Sequence, residues 1–397
     1  MTSSIIDFVR SVSVAHRERR GFEASMEIRA GAIEIAARIR HRSPDHTAVE
    51  FRTYNHPLSD LEETLANGAT LTGEELLAVV LHYDGRHTWR HDASSNVAVR
   101  TDGRELFEPI PGFDALGELG FLDHLAHDFL VRDGGQDTVA GRDVRLVSLK
   151  PKRTYRSQLL RAMSYPIRKA TVAFDAETFF PLRISFYPDV STSAAALVGP
   201  TGVVTVQYSD VRYEAPGRDA LVFAPDESIR TFIEIPVSTE DLSARMPFLA
   251  SLEPLTAEGF LPPDGRVLVA ASETGERTYC RTLLLATGSG EETRGRITLR
   301  AGNYLSRNMS RRRAAIAEKG KPVTIGGKDA KLLDRGQLFV EHLPQIDAPA
   351  SLEWMWEEAG AYWFLLFEGI PEARAAALCT SLREANAPGK EGSPATD

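Results

Sequence analysis

The stretch that decides the fold is VAGRDVRLVSLKPK (139–152), followed after a polar insert by RKATVAFDAETFFPLRISFYP (168–188). Val144, Leu146 and Ser148 alternate with Arg145, Val147 and Leu149, the period of two that marks a strand with one buried face. Ala140-Gly141-Arg142 supplies a turn just before it. Val172 and Phe174 belong to one short apolar strand, and Leu182, Ile184 and Phe186 to the next. Asp175-Ala176-Glu177-Thr178 lies between them, with Pro181 where a strand begins and no ladder donor is required. The whole reads as an antiparallel meander built around a hairpin.

Working outward toward the N-terminus, Ser4 caps a helix carrying Ile5, Ile6, Phe8, Val9, Val12 and Val14, which Gly21 ends. From Phe22 the period changes. Phe22, Ala24, Met26 and Ile28 alternate with Glu23, Ser25, Glu27 and Arg29; Ile33, Ile35, Ala37 and Ile39 do the same, and Val49, Phe51 and Thr53 make a third run. Three such strands imply an antiparallel sheet with one wet face. Residues 55–73 read as a loop with some helix around Leu61 to Ala66. Leu76 to Tyr83 and Thr88 to Val99 read as strands joined by Asp84-Gly85-Arg86, a hairpin signal. Phe113 to Phe129 reads as a helix, 190–202 as a loop and Val203 to Tyr208 as a strand, with Phe223-Ala224-Pro225 closing the domain.

This half therefore offers about nine one-faced strands and two amphipathic helices. One-faced strands must cover their apolar side. A strongly curved sheet wrapped round its helices does so and tends to leave an apolar hollow; a fully packed core is the alternative. Past Pro225 the pattern resets. Thr231 to Pro236 opens a second unit, with a helix expected around Asp241 to Leu252 and strands at Val267–Ala270, Tyr279–Leu285, Arg296–Leu299, Ala330–Leu333 and Gln337–Glu341. LEWMWEEAGAYWFLLFEG (352–369) is a hairpin turning at Ala359-Gly360. Pro371 to Leu382 is a helix with proline in its first turn, and the tail from residue 387 reads as disordered.

At 397 residues the chain exceeds what one core usually supports. The expected domains are residues 1–230, a curved antiparallel sheet with a helical lid, and 231–386, a smaller α+β domain. Hydrophobic residues at 43% and charged residues at 25% are ordinary for globular domains. A formal charge of -9 argues against nucleic acid, which needs a concentrated basic face. Cys280 and Cys379 fit no metal spacing and leave one disulfide or two thiols open. The segment MTSSIIDFVRSVSVAHRERRG (1–21) lacks the order of basic region, apolar core and cleavage site that marks a signal peptide.

Val139, Gly141 and Arg142 ahead of a strand reaching Leu149 and Pro151, then Asp175, Thr178, Pro181, Leu182 and Ile184, and finally Phe223 and Pro225, form a spaced set. On these residues the chain, over roughly 1–230, resembles the lipoprotein-carrier superfamily. That group contains the LolA and LolB carriers, mycobacterial lipid-binding lipoproteins and the sigma-factor regulator RseB. The resemblance implies an open, half-closed β-barrel with a helical lid and an apolar cavity for acyl chains. It also implies a periplasmic or cell-envelope setting, although neither a leader nor a lipobox cysteine is visible, so the location stays open. The chain's ending, from Trp356 to Leu382, is similar to the strand–strand–helix ending of RseB-like domains.

The function expected is non-catalytic binding of an acyl chain, lipid or lipoprotein. The expected lining is Met26, Ile28, Ile35, Ile39, Phe51, Val172, Phe174, Leu182, Ile184, Phe186, Val204 and Val206. The alternative is an RseB-like regulator gripping a protein partner through its C-terminal domain. No cofactor and no metal are expected: His124 and His127 on a helix lack a third ligand, and His82, His87 and His91 lie at differing depths and faces. Nucleophile-elbow, phosphate-loop and zinc-protease motifs are missing, so an enzyme is not expected. Residues 154–169, with Arg156, Arg161, Arg168 and Lys169 beside Leu159, Leu160 and Met163, form either a solvated loop or a short basic helix facing a membrane. Arg307, Arg311, Arg312 and Arg313 form the densest basic patch, either a solvated helix face or a contact for a partner or anionic headgroups. Trp354, Trp356 and Trp363 read as core.

Overall fold

The fold comes from a computed structural model that describes residues 4–30, 33–43, 46–55, 79–93, 95–103, 122, 125–152, 167–188, 203–249, 251–262, 265–286, 295–305, 307–335 and 351–387. It is a mostly-sheet α+β protein whose residues cluster into two compact units. The first takes most residues up to Ser228, and the second takes those from Ile229 onward together with Val97–Arg100.

In the first unit, α1 (Ile5–Glu18) begins at Ser4, whose hydroxyl accepts the Asp7 N–H at 3.2 Å and donates to the Asp7 carboxylate at 2.7 Å. That satisfies a donor the helix leaves open. Strands β1 (Gly21–Ala30), β2 (Ile33–Arg42) and β3 (His46–Asn55) follow, with β4 (Val79–Asp84) and β5 (His87–Asp92) joined at Gly85. The chain then gives up β6 (Val97–Asp102), most of which belongs to the second unit. The strand expected from Thr88 to Val99 is thus divided. An Asp92–Ser95 hydrogen-bonded turn and Asn96 at φ 54° break it, and Val97 and Val99 pack with Phe232, Ala270, Tyr279 and Tyr304.

Helix α2 (Leu125–Asp128) is a single turn, followed at once by β7 (Phe129–Val139). The helix expected from Phe113 through Phe129 therefore ends before Phe129, and residues 113–121 lie outside those described. Then come β8 (Arg142–Pro151), β9 (Ile167–Asp175), β10 (Pro181–Pro188) and β11 (Val204–Arg212). Every pairing is antiparallel, in the order β7-β8-β9-β10-β11-β1-β2-β3-β4-β5. The β7–β8 turn sets Ala140 and Gly141 at φ 49° and 76°, the left-handed pair whose twist matches that of the strands.

The second unit opens with β12 (Arg230–Ser238), which pairs with β6. The helix expected over Asp241–Leu252 is replaced by two short turns, α3 (Leu242–Arg245) and α4 (Glu253–Thr256). Pro247 removes a donor between them, while Leu242, Met246, Leu249, Leu252 and Leu255 still bury their side chains. β13 (Phe260–Leu261), β14 (Arg266–Ser272), β15 (Thr278–Ala286) and β16 (Arg296–Gly302) lead to α5 (Arg307–Lys319), then β17 (Lys321–Ile325), β18 (Lys328–Asp334), β19 (Ser351–Glu358), β20 (Ala361–Glu368) and α6 (Glu372–Ala385). Their antiparallel order is β12-β14-β15-β16-β20-β19-β18-β17. One sheet face packs Trp354, Trp356, Trp363, Leu365 and Phe367 with α6; the other packs Phe364 and Leu333 with Ile316 of α5. The Gln337–Glu341 strand and, apart from Ala387, the tail expected from 387 onward lie outside the described residues.

Candidate functional site

The alternation in β1 and β2 puts Met26, Ile28, Ile35 and Ile39 on one face, and the register sets their neighbours. Ile35 lies opposite Ile28, Ile28 opposite Val206, Val206 opposite Ile184, Ile184 opposite Val172, and Val172 opposite Val147. At about 4.8 Å per strand spacing this apolar row spans about 24 Å. Phe51, Phe174, Leu182, Phe186 and Val204 flank it, so all twelve expected residues meet in one cluster, none more than 4% exposed.

Helix α1 lays Phe8, Val9 and Val12 on the cluster, and Leu122, Leu125 and Phe129 join it. The Ser13 hydroxyl donates to the Leu122 carbonyl at 2.8 Å, fixing the helix to that segment. Phe22, Ala24, Val147, Leu149, Phe180 and Tyr208 are among the cluster's members beyond the expected set. Tyr208 continues the Val204–Val206 alternation, so its signal is in the sequence. Phe180 has no periodic signal; it is buried because the hairpin turn folds it against Phe22 and Tyr208, with ring centroids 5.0 and 5.4 Å away.

Three of the motif residues, Arg142, Asp175 and Thr178, converge at one end of this sheet. Asp175, 2% exposed, accepts the N–H groups of Glu177 and Thr178 at 3.0 and 2.7 Å, and Arg142 Nε lies 2.5 Å from its other oxygen. The Thr178 hydroxyl meets the Tyr213 hydroxyl at 2.8 Å, and Arg19, just past α1, donates to the Thr178 carbonyl at 2.8 Å. Arg19 also lies over the rings of Phe180 and Tyr213. Burial lowers the Arg19 pKa and raises that of the Tyr213 phenol. This latch joins helix, hairpin turn and the strand after Gly141, which is what the spaced signature encodes. It is a structural device without a free nucleophile or paired acid and base.

Phe223, the closing aromatic, is gripped by His82, Trp89 and His91 at centroid distances of 5.5, 5.3 and 4.8 Å. Burial pushes the His82 pKa down, and its Nδ1 sits 3.3 Å from the Leu221 carbonyl. His87 instead faces Asp84 and Asp102. His127 bonds its neighbour Asp128 at 2.8 Å, and His124 lies outside the described residues. Among the described residues no group of three potential metal ligands occurs.

In the basic patch, Arg312 is buried and holds Glu353 through two bonds of 2.6 and 2.7 Å, while Arg313 is exposed beside Glu357. Of residues 154–169, Ile167, Arg168 and Lys169 are described, all on β9, with Lys169 over the Tyr187 ring. Cys280 and Cys379 are two buried free thiols. The three tryptophans of the second unit are core, with Trp356 and Trp363 stacked at 5.4 Å.

Among solved structures, the chain is similar to the Pseudomonas aeruginosa MucA/MucB complex, at 12% identity over 94% of this chain and 96% of that one, with a TM-score of 0.32. It is also similar to the Mycobacterium tuberculosis lipoprotein LppX, at 11% identity, 54% and 99% coverage and a TM-score of 0.32. A third is a LolA superfamily protein from Nitrosomonas europaea, at 13% identity, 55% and 97% coverage and a TM-score of 0.27. No family model matches the chain, and no curated protein matches it. What this chain does has to come from its own residues.

Proposed function

We propose that the N-terminal unit is a non-catalytic carrier domain that holds an acyl chain, lipid or lipoprotein on the inner face of a half-barrel. The observation that carries this reading is the apolar row from Ile35 to Val147, on which α1 lies through Phe8, Val9 and Val12 and is pinned by the Ser13–Leu122 bond. A chain laid along that row gains about 0.8 kcal/mol per buried methylene and needs no polar anchor. Among the described residues α1 joins no strand pairing, so it can move off the row without breaking the sheet. The setting that goes with this reading is the cell envelope.

Organic extraction of the purified full-length chain, followed by mass spectrometry, tests it. Co-purified lipid, or a rise in melting temperature on adding a palmitoyl lysophospholipid, is expected. Neither lipid nor shift in a folded sample refutes the carrier reading. A second reading, a regulator that grips a protein partner through residues 231–386, is favoured by the separate core of that unit around Trp354, Leu365 and Phe367. Cross-linking of the full chain in its own cell extract, with links mapping only outside that range, counts against it.

A further inference from the structure

A cavity of 670 Å³ opens beside the N-terminal half of α1, lined by none of the twelve residues of the apolar row. Its walls are Phe8 and Phe179, with Gln136, Asp137, Thr138, Asp143, Val144, Arg145 and Ala176. The volume is that of a small-molecule site. We propose that it binds a small organic cation, an alkylated ammonium, between the aromatic pair and the Asp143 carboxylate.

Charge balance points that way. Asp137 is taken by Arg183 at 3.1 Å, and Arg145 by Asp133 at 2.6 Å. These pairs neutralise one carboxylate and one cation of the wall. Asp143 has no ionic or side-chain hydrogen-bond partner among the described residues, so the described lining carries one unmatched negative charge. An anion would face that charge, and a purely apolar guest would strip water from Asp143, Asp137 and Gln136. A cation with methyl groups suits both the rings and the acid.

The wall already holds such a group, since the Arg145 guanidinium lies 4.7 Å from the Phe8 ring centroid. Phe179 meets Phe8 edge-on at 5.5 Å and 62°. It does so from φ 58°, a left-handed conformation that a bulky side chain pays for and that a glycine would adopt freely. The hairpin turn does not need an aromatic there, because Asp175 and the Phe179 N–H to Asp175 carbonyl bond already close it. What the phenyl adds is packing on Phe8 and a wall for the cavity.

The site is independent of the acyl-chain reading, and choline, which carries no acyl chain, tests it alone. Full-length protein is titrated by calorimetry and by NMR with choline, with its uncharged isostere 3,3-dimethylbutan-1-ol, and with inorganic phosphate. One choline per chain is expected, bound about tenfold more tightly than the isostere, with no response to phosphate. Asp143→Asn and Phe179→Leu should each weaken choline by about three- to tenfold, while the exposed Asp143 position leaves the melting temperature of its variant unchanged. Equal binding of choline and isostere, no choline binding, or an unaltered affinity in Asp143→Asn overturns the assignment.

Discussion

Replacing Asp175 with alanine removes an acceptor that two backbone N–H groups share and a buried counter-charge that Arg142 uses. Hydrogen bonds to a charged acceptor contribute about 1.5–3 kcal/mol each, and an unfilled buried donor costs a similar amount. Arg142 keeps about a third of its side chain in water, so its share is discounted. The sum is a loss of about 3–5 kcal/mol from the N-terminal unit. Asp175→Asn retains one oxygen for the Glu177 and Thr178 amides and loses the charge and the acceptor for the partly exposed Arg142, for about 1–2 kcal/mol. Urea unfolding isolates this unit through Trp89, because the chain's other three tryptophans lie at 354, 356 and 363. Hydrogen exchange at residues 177–180 should accelerate in Asp175→Ala before the strands open. A loss below about 1 kcal/mol, or identical losses for the two variants, would show that the latch is not held by the carboxylate.

In the second unit, Glu353→Ala removes the buried carboxylate that both Arg312 and Arg335 face and should cost about 3–5 kcal/mol in urea. Arg312→Met should cost less, because Arg335, 4.0 Å from Glu353, remains as a counter-charge; the opposite ranking refutes this account. His82 is held below its ordinary 6.5 by burial, so the folded state binds fewer protons than the unfolded chain. Stability is therefore full above that value and falls as pH drops through it, and His82→Phe should flatten the urea-midpoint slope between about pH 7 and 5.5. Burial raises the Cys280 pKa to about 12 and that of Cys379 well above its usual value. A thiol reagent should label neither in the native chain and both in urea; rapid native labelling contradicts their burial.

How far the sequence reaches depends on which interactions are local. Met26–Ile28, Leu182–Ile184–Phe186 and Val204–Val206 are legible because each strand buries one face, and alternation then names the apolar row before any pairing is known. β7 is not legible: from Leu130 to Thr138 its side chains are largely exposed on both sides, and a bulge at Asp133–Gly135 interrupts what alternation remains. Arg312 reads as part of a solvated patch because its partner, Glu353, is forty-one residues away on a strand that itself reads as apolar. The same distance problem hides the cavity. Phe8 sits on the first helix and Phe179 in a hairpin turn, and only the latch of Arg19, Arg142, Asp175 and Thr178 brings helix and turn to the same end of the sheet. The signature residues are thus legible one by one, while their spatial consequence, the Phe8–Phe179 pair beside Asp143, follows only once the strands are in register.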